Sequence, residues 1–299
     1  MRALLLVVFS GALACSSAGS PPKGPSTPFM TTSADGGAPP ALISLRGSGA
    51  GTAWTVGEGG IIARLSGYTW SLVDSGTTAT LGGLSVLDVS HAWAVELGGA
   101  RVLAWNGRNW APLGADRADR AAAATWGVGA NDVWVAGDGI EHWDGQTWTE
   151  EVPSGAMFTS VFGSFRTDVW AVGPGGIRHY DGKTWSTLAA PAGTMPLAAV
   201  WASQLYDAWF VGAGGTILHW NGSVLSSVPS GTTADLTCVG GTGPDDVWIG
   251  GKDGTLLHYD GTWSNSSTAA HSTITDIWRA YDADVYFVDG TGAVTRYVP

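Results

Sequence analysis

The chain repeats itself. The run Asp168-Val169-Trp170-Ala171-Val172-Gly173-Pro174-Gly175-Gly176-Ile177-Arg178-His179-Tyr180-Asp181-Gly182-Lys183-Thr184-Trp185 recurs in degraded form from end to end. Trp54, Trp93, Trp134, Trp170, Trp209 and Trp248, and finally Tyr286, mark one position in seven copies spaced 36 to 41 residues apart. Each copy holds an apolar strand, a glycine turn, a second apolar strand, an Asp-Gly turn and an aromatic residue that opens a third strand. Short apolar runs punctuated by Gly and Asp-Gly turns are the signature of a β-meander.

A further apolar run precedes each of these units, as in Thr159-Ser160-Val161-Phe162 and Thr237-Cys238-Val239, so each copy supplies four strands, named A to D in chain order. One four-stranded meander has two apolar faces and must stack on neighbours to bury them, and a period near this length is that of a propeller blade. The expected fold is therefore all-β, a seven-bladed β-propeller of four-stranded blades. All 17 Trp fall on repeat positions, which assigns each of them a packing role before any other. The last copy stops at Thr295-Arg296-Tyr297-Val298-Pro299 without a fourth strand. The segment 28–33, with Phe29 at the aromatic position, is expected to supply it and close the ring, removing the open edges that invite aggregation.

Residues 1–14 carry Arg2 and then a short apolar core, too short to span a bilayer and of the form of an export signal. Ala12-Leu13-Ala14-Cys15 resembles the bacterial lipobox, with Ala12 where the family prefers Leu. The resemblance implies diacylation of Cys15 and a membrane partner through the lipid; Ser16 after it implies outer-membrane sorting, facing either the periplasm or the cell surface. Ala12-Leu13-Ala14 also satisfies the small-x-small rule of ordinary signal peptidase. The expected organisation is a signal at 1–14, a lipidated Cys with a flexible tether at 15–27, and the propeller at 28–299. Cys238 is the one other cysteine, expected as a small buried apolar residue.

The pattern Asp-Val-Trp-x-Val-Gly, then Gly-x-Ile-x-His-Tyr/Trp-Asp-Gly-x-x-Trp, resembles tandem propeller repeats of the Asp-box (BNR), kelch and tectonin kind. Asp144-Gly145-Gln146-Thr147-Trp148 and Asp181-Gly182-Lys183-Thr184-Trp185 resemble the Asp-box but lack its residue between Asp and Gly. Such propellers serve as lectins, glycosidases, assembly factors and scaffolds, so the resemblance implies the fold more than the chemistry.

His142, His179, His219 and His258 occupy one repeat position in four blades. Stacked sheets lie about 10 Å apart and zinc needs its ligands about 2 Å away, so these histidines cannot share a metal. The same four blades carry the strand-B carboxylates Asp132, Asp168, Asp207 and Asp246, and blade 7 pairs Asp284 with Arg296 at the histidine position. These five pairs are expected to act as structural braces between the A–B and C–D turns. No metal or other cofactor is expected. The glycine clusters, such as Gly212-Ala213-Gly214-Gly215, are hairpin turns rather than phosphate loops, because none opens a helix.

A net charge of -11 argues against nucleic acid, whose binders need a basic stripe. A sialidase-like glycosidase would need a triad of arginines on the axis, and Arg46, Arg101, Arg166, Arg178 and Arg279 show no spacing that singles one out. No Gly-x-Ser-x-Gly elbow is present. The expectation is a monomeric, non-enzymatic binding module with a protein or a glycan as partner, an Asp-box glycoside hydrolase being the alternative. Its site is expected near the D–A segments 73–83, 113–121, 189–196 and 228–235, which are rich in Thr, Ser, Ala and Gly apart from Asp116-Arg117-Ala118-Asp119-Arg120.

Overall fold

The computed structural model describes residues 24–25, 40–49, 52–67, 69–115, 117, 120–266, 272–280 and 284–299. It is a seven-bladed β-propeller. Six of the seven sheets have four strands, and in five of these all four follow one another in the sequential order of a meander, blade 4 for example running Ser160–Phe165, Asp168–Gly173, Gly176–Tyr180 and Trp185–Leu188. The seven inner strands, A, are Leu42–Gly49, Leu81–Val86, Ala122–Gly129, Ser160–Phe165, Leu197–Gln204, Leu236–Gly243 and Ile274–Arg279. Each contacts the inner strand of the next blade, and the seventh contacts the first.

Blade 3 departs from the pattern because strands B and C form one unbroken ladder segment, Asp132–Trp143. It doubles back within itself, since His142 returns to within 2.9 Å of Asp132. Gly139, at φ 86, makes this reversal tighter than the B–C turns of other blades.

The last blade closes as a four-stranded sheet, but the residues are not those expected. Gly24–Pro25 pairs antiparallel with Val294–Val298, in register Gly24 to Val298 and Pro25 to Tyr297. The closing pair therefore falls inside the stretch expected to be a tether, and 28–33 lie outside the described residues, as do the signal, Cys15 and Phe29. Edge pairing uses main-chain groups, and an edge strand is one of the places where Pro is tolerated, so apolar pattern was a poor guide to its position.

The core lies between blades, not on the axis. The strand-B Trp of one blade packs on ring side chains of strands C and D in the next: Trp54 on Trp105 and Trp110, Trp134 on Tyr180 and Trp185, Trp209 on Tyr259 and Trp263. Trp54, Trp134, Trp170 and Trp248 are at most 1% exposed. At the inner ring, strand-A rings lie over glycines of the following blade. A Cβ at Gly47 would sit 2.3 Å from Trp278, and one at Gly163 would sit 2.6 Å from Trp126. Hydroxyls stitch neighbouring inner strands together: Leu84 N–H donates to Ser44 Oγ (3.3 Å), Gly127 N–H to Ser85 Oγ (3.1 Å) and Val200 N–H to Ser160 Oγ (3.2 Å).

In a meander, successive strands run in opposite directions. The A–B and C–D turns therefore share one face of the disc, and the B–C turns and D–A loops share the other.

Candidate functional site

The inner strands enclose an axial cavity of about 580 Å³ lined by residues of all seven blades, from Ile43, Gly83 and Thr159 near the D–A face to Leu87, Ser164 and Arg279 near the A–B face. Its ionisable side chains are Arg46, Cys238, Asp276 and Arg279. Arg46 Nη1 bonds Asp276 and donates to the carbonyls of Leu45 (2.7 Å) and Ile277 (3.1 Å). Asp276 also accepts from Ser44 Oγ (2.7 Å) and from the amides of Leu45 (2.8 Å) and Ile277 (2.9 Å). Arg279 Nε lies 3.0 Å from Asp246 Oδ2, and its Nη1 donates to the carbonyls of Ala280 and Asp284. Burial, with the Asp276 carboxylate adding to it, pushes the Cys238 thiol up to about 12, so it is no nucleophile near neutral pH. Among the described residues, each ionisable group on this wall is thus bonded to a protein partner or held neutral.

The paired Asp and His residues meet in all four blades. His Nε2 lies 2.9 Å from Asp132 for His142, 2.7 Å from Asp168 for His179, 2.6 Å from Asp207 for His219 and 3.0 Å from Asp246 for His258. Arg296 Nε lies 2.5 Å from Asp284 Oδ2. Each imidazole also stacks on its own strand-B Trp, with centroids 4.2, 3.8, 4.0 and 4.0 Å apart in blades 3 to 6. The indole is therefore covered by the histidine on one side and by the next blade on the other. A third partner escaped the sequence reading. Ser164, Ser203 and Thr242, four residues before Asp168, Asp207 and Asp246, donate their hydroxyls to the second carboxylate oxygen. Alignment of the repeats on the Asp would have shown a hydroxyl at that offset in three consecutive copies.

The two blades that lack the strand-B Asp improvise. In blade 1, Arg64 occupies the histidine position and lies 5.3 Å over the Trp54 ring. In blade 2, His91 comes from the A–B turn, sits 3.0 Å from the Asp88 carboxylate and stacks on Trp93 at 6.4 Å. The C–D turns are capped by their first residue. Asp144 accepts from the amides of Gln146 and Thr147, and Asp181 from those of Lys183 and Thr184; these bonds hold both carboxyls below the ordinary range.

On the D–A face, a groove of about 710 Å³ runs between 192–194, 214–217 and 227–233, lined in part by two of the four segments expected to form the site. Main chain, hydroxyls and small side chains line it. Glu58, Asp74, Asp138, Asp253 and Asp289 stand on the same face. Of the charged run 116–120, residues 116, 118 and 119 lie outside the described residues, while Arg117 turns inward and is 5% exposed. Its Nε lies 3.1 Å from Glu141 Oε2, near enough for an ion pair though out of line for a hydrogen bond, and its guanidinium lies over the Trp148 ring. Burial raises the Glu141 carboxyl against the pull of Arg117.

The large apolar side chains left exposed lie mostly on the other face. Leu87, Val89, Phe165, Leu205, Tyr206 and Val224 sit on A–B or C–D turns, whereas Leu97, Met157 and Met195 are on the D–A side. Among the described residues the two rings exposed in this way, Phe165 at 52% and Tyr206 at 65%, belong to the former group, on adjacent blades. Tyr206 holds φ 67 and packs on Gly222, where a Cβ would come within 2.6 Å of it. Among the described residues, no group of three or more His, Cys, Asp or Glu converges as a metal site.

No protein-family model matches the chain, and no curated protein matches it. Solved structures do, at the level of the fold. Ycf48 bound to a D1 peptide superimposes with a TM-score of 0.70 at 16% identity, over 87% of this chain and 94% of that one. Ycf48 from Cyanidioschyzon merolae gives 0.71 at 14%, over 87% and 96%. A catalytically inactive histidine-to-alanine variant of virginiamycin B lyase from Staphylococcus aureus, with quinupristin, gives 0.77 at 12%, over 91% and 98%. The chain is thus a propeller similar in fold both to a peptide-bound protein and to a lyase.

Proposed function

We propose that this chain is an exported, lipid-anchored propeller that binds a polypeptide and performs no chemistry. The observation that carries the reading is the commitment of the axial wall. Arg46 and Asp276 are bonded to each other, Arg279 is bonded to Asp246, and Cys238 is held neutral. A general acid, base or nucleophile has to reach a reacting atom, and none of these groups is free to do so. Among the described residues no histidine lines the wall, whereas the lyase of similar fold is inactivated by replacing one histidine.

The groove on the D–A face offers main-chain and hydroxyl partners but no ring on which a sugar would stack. That favours an extended polypeptide over a glycan, and the Asp235 carboxylate, which accepts from the Gly214 amide at the edge of the groove and from Lys252, together with the acidic residues spread over the rest of this face, favours one with basic side chains.

The test pairs a turnover assay on glycosides and a streptogramin B with a peptide-array screen, both on the full chain. Saturable binding of basic peptides that weakens with salt, without turnover, is the expected result. Turnover lost in Arg279→Ala would overturn the reading, and binding of glycans alone would replace the polypeptide with a sugar.

A further inference from the structure

Strand order fixes where the chain enters the propeller. Strand C of blade 7, Val294–Val298, runs from the B–C turn towards the A–B face, and Gly24–Pro25 pairs antiparallel to it with Gly24 opposite Val298. The main chain therefore reaches Gly24 from the A–B side, at the rim of blade 7. Eight residues lie between Cys15 and Gly24, and the nine steps from one to the other span at most about 32 Å. A lipid on Cys15 holds the bilayer within that reach of the A–B face.

Among the described residues, the same face carries six of the nine exposed large apolar side chains, Phe165 and Tyr206 included. In ring order they stand on blade 2 (Leu87 and Val89) and on blades 4 and 5 (Phe165, Leu205, Tyr206 and Val224), with the tether at blade 7. Contacts are thus spread around the disc rather than gathered at one edge. Tyr206 keeps its ring outward from a left-handed backbone that an aromatic residue rarely adopts.

We propose that the A–B face docks on the lipid surface, with Phe165, Leu205, Tyr206 and Val224 seated among the headgroups, so that the D–A groove points away from the membrane. The inference rests on the lipid anchor of the preceding section. The face carries Asp88, Asp144, Asp181, Asp245 and Asp260 against Arg108, Arg166 and Lys183, so it has no excess of positive charge to attract anionic lipid. The fitting surface is a zwitterionic one, gripped by apolar burial. Tethering raises the local concentration of the bilayer and makes weak apolar contacts sufficient.

The experiment uses full-length protein extracted from membranes and reconstituted in phosphatidylcholine vesicles that contain a quencher lipid. One fluorophore is placed on Tyr206→Cys or, as a control of similar exposure on the D–A side, on Met195→Cys; Cys238 is buried and does not compete. Several-fold stronger quenching at position 206 than at 195 is expected. Equal or reversed quenching overturns the orientation, as does cross-linking of the A–B faces into dimers. Mass spectrometry of the same preparation separates the two premises. Acylated protein without quenching at 206 defeats the docking face and spares the anchor; quenching at 206 in unacylated protein defeats the anchor and spares the face. Tyr206→Asn, which a left-handed backbone accepts, should keep the melting temperature while lowering vesicle affinity several-fold when Cys15→Ala removes the lipid. Unchanged affinity in that pair also counts against the face.

Discussion

A histidine that stacks on a tryptophan and bonds a carboxylate is fixed on two sides, and in blades 3 to 6 its fixed position is what covers the indole. Truncating His179 to Ala should cost about 1–2 kcal/mol, a bond to a charged group discounted for the exposed edge of the ring. In a double-mutant cycle with Asp168→Ala the two losses should be less than additive; full additivity in melting curves would mean the pair is no brace. Trp170→Ala, which empties the space between two blades, should cost more, about 3–5 kcal/mol. Acid should find blade 6. Burial raises the Asp246 carboxyl, but the bonds from Thr242 and His258 and the charge of Arg279 outweigh it and leave it below its ordinary 3.8. A carboxyl lowered by folding stabilises the protein above its unfolded value and loses that contribution as pH falls through the folded one. Asp246→Asn should therefore be less stable than wild type at neutral pH, with the gap narrowing as melting is followed from about pH 5 down to about pH 2. A constant gap would contradict this. The Asp and His positions could be read from the sequence because they co-occur in four copies. Ser164, Ser203 and Thr242 were hidden because serine and threonine are so common in these turns that an offset of four drew no notice.

At the scale of the element, the strands were legible because each is a short apolar run bounded by glycine, and the order A to D follows from the meander alone. The closing strand was not. Gly24–Pro25 is two residues long, too short to show an apolar alternation, and joins the sheet by main-chain pairing, so pattern pointed instead to the apolar run around Phe29. Deleting residues 1–25 should expose the edge of Val294–Val298 and produce concentration-dependent association by light scattering, whereas deleting 1–23 should not. Equal behaviour of the two deletions would mean that the ring closes by other residues. The inward turn of Arg117 was equally hidden, since only the fold brings Glu141 and the Trp148 ring beside it.

For the whole molecule, the repeat count gave the number of blades, but which face remains apolar is decided by single turn residues that vary from blade to blade: Phe165 in one, Leu205 and Tyr206 in the next. No periodicity announces them. The D–A loops have the composition the sequence showed, and their groove is lined in part by the expected segments 189–196 and 228–235 and in part by the B–C turn at 214–217. Under the proposed function the two faces take different tasks, lipid on one and polypeptide on the other, with a bonded axial wall between them. Hydrogen exchange of the vesicle-anchored full chain, with and without the tightest basic peptide from the array, tests that division most directly. Slowed exchange at 192–194, 213–216 and 229–233 with none at 205–206 is the predicted result; peptide-dependent protection confined to the A–B turns or to the axial strand at 239–242 would contradict it.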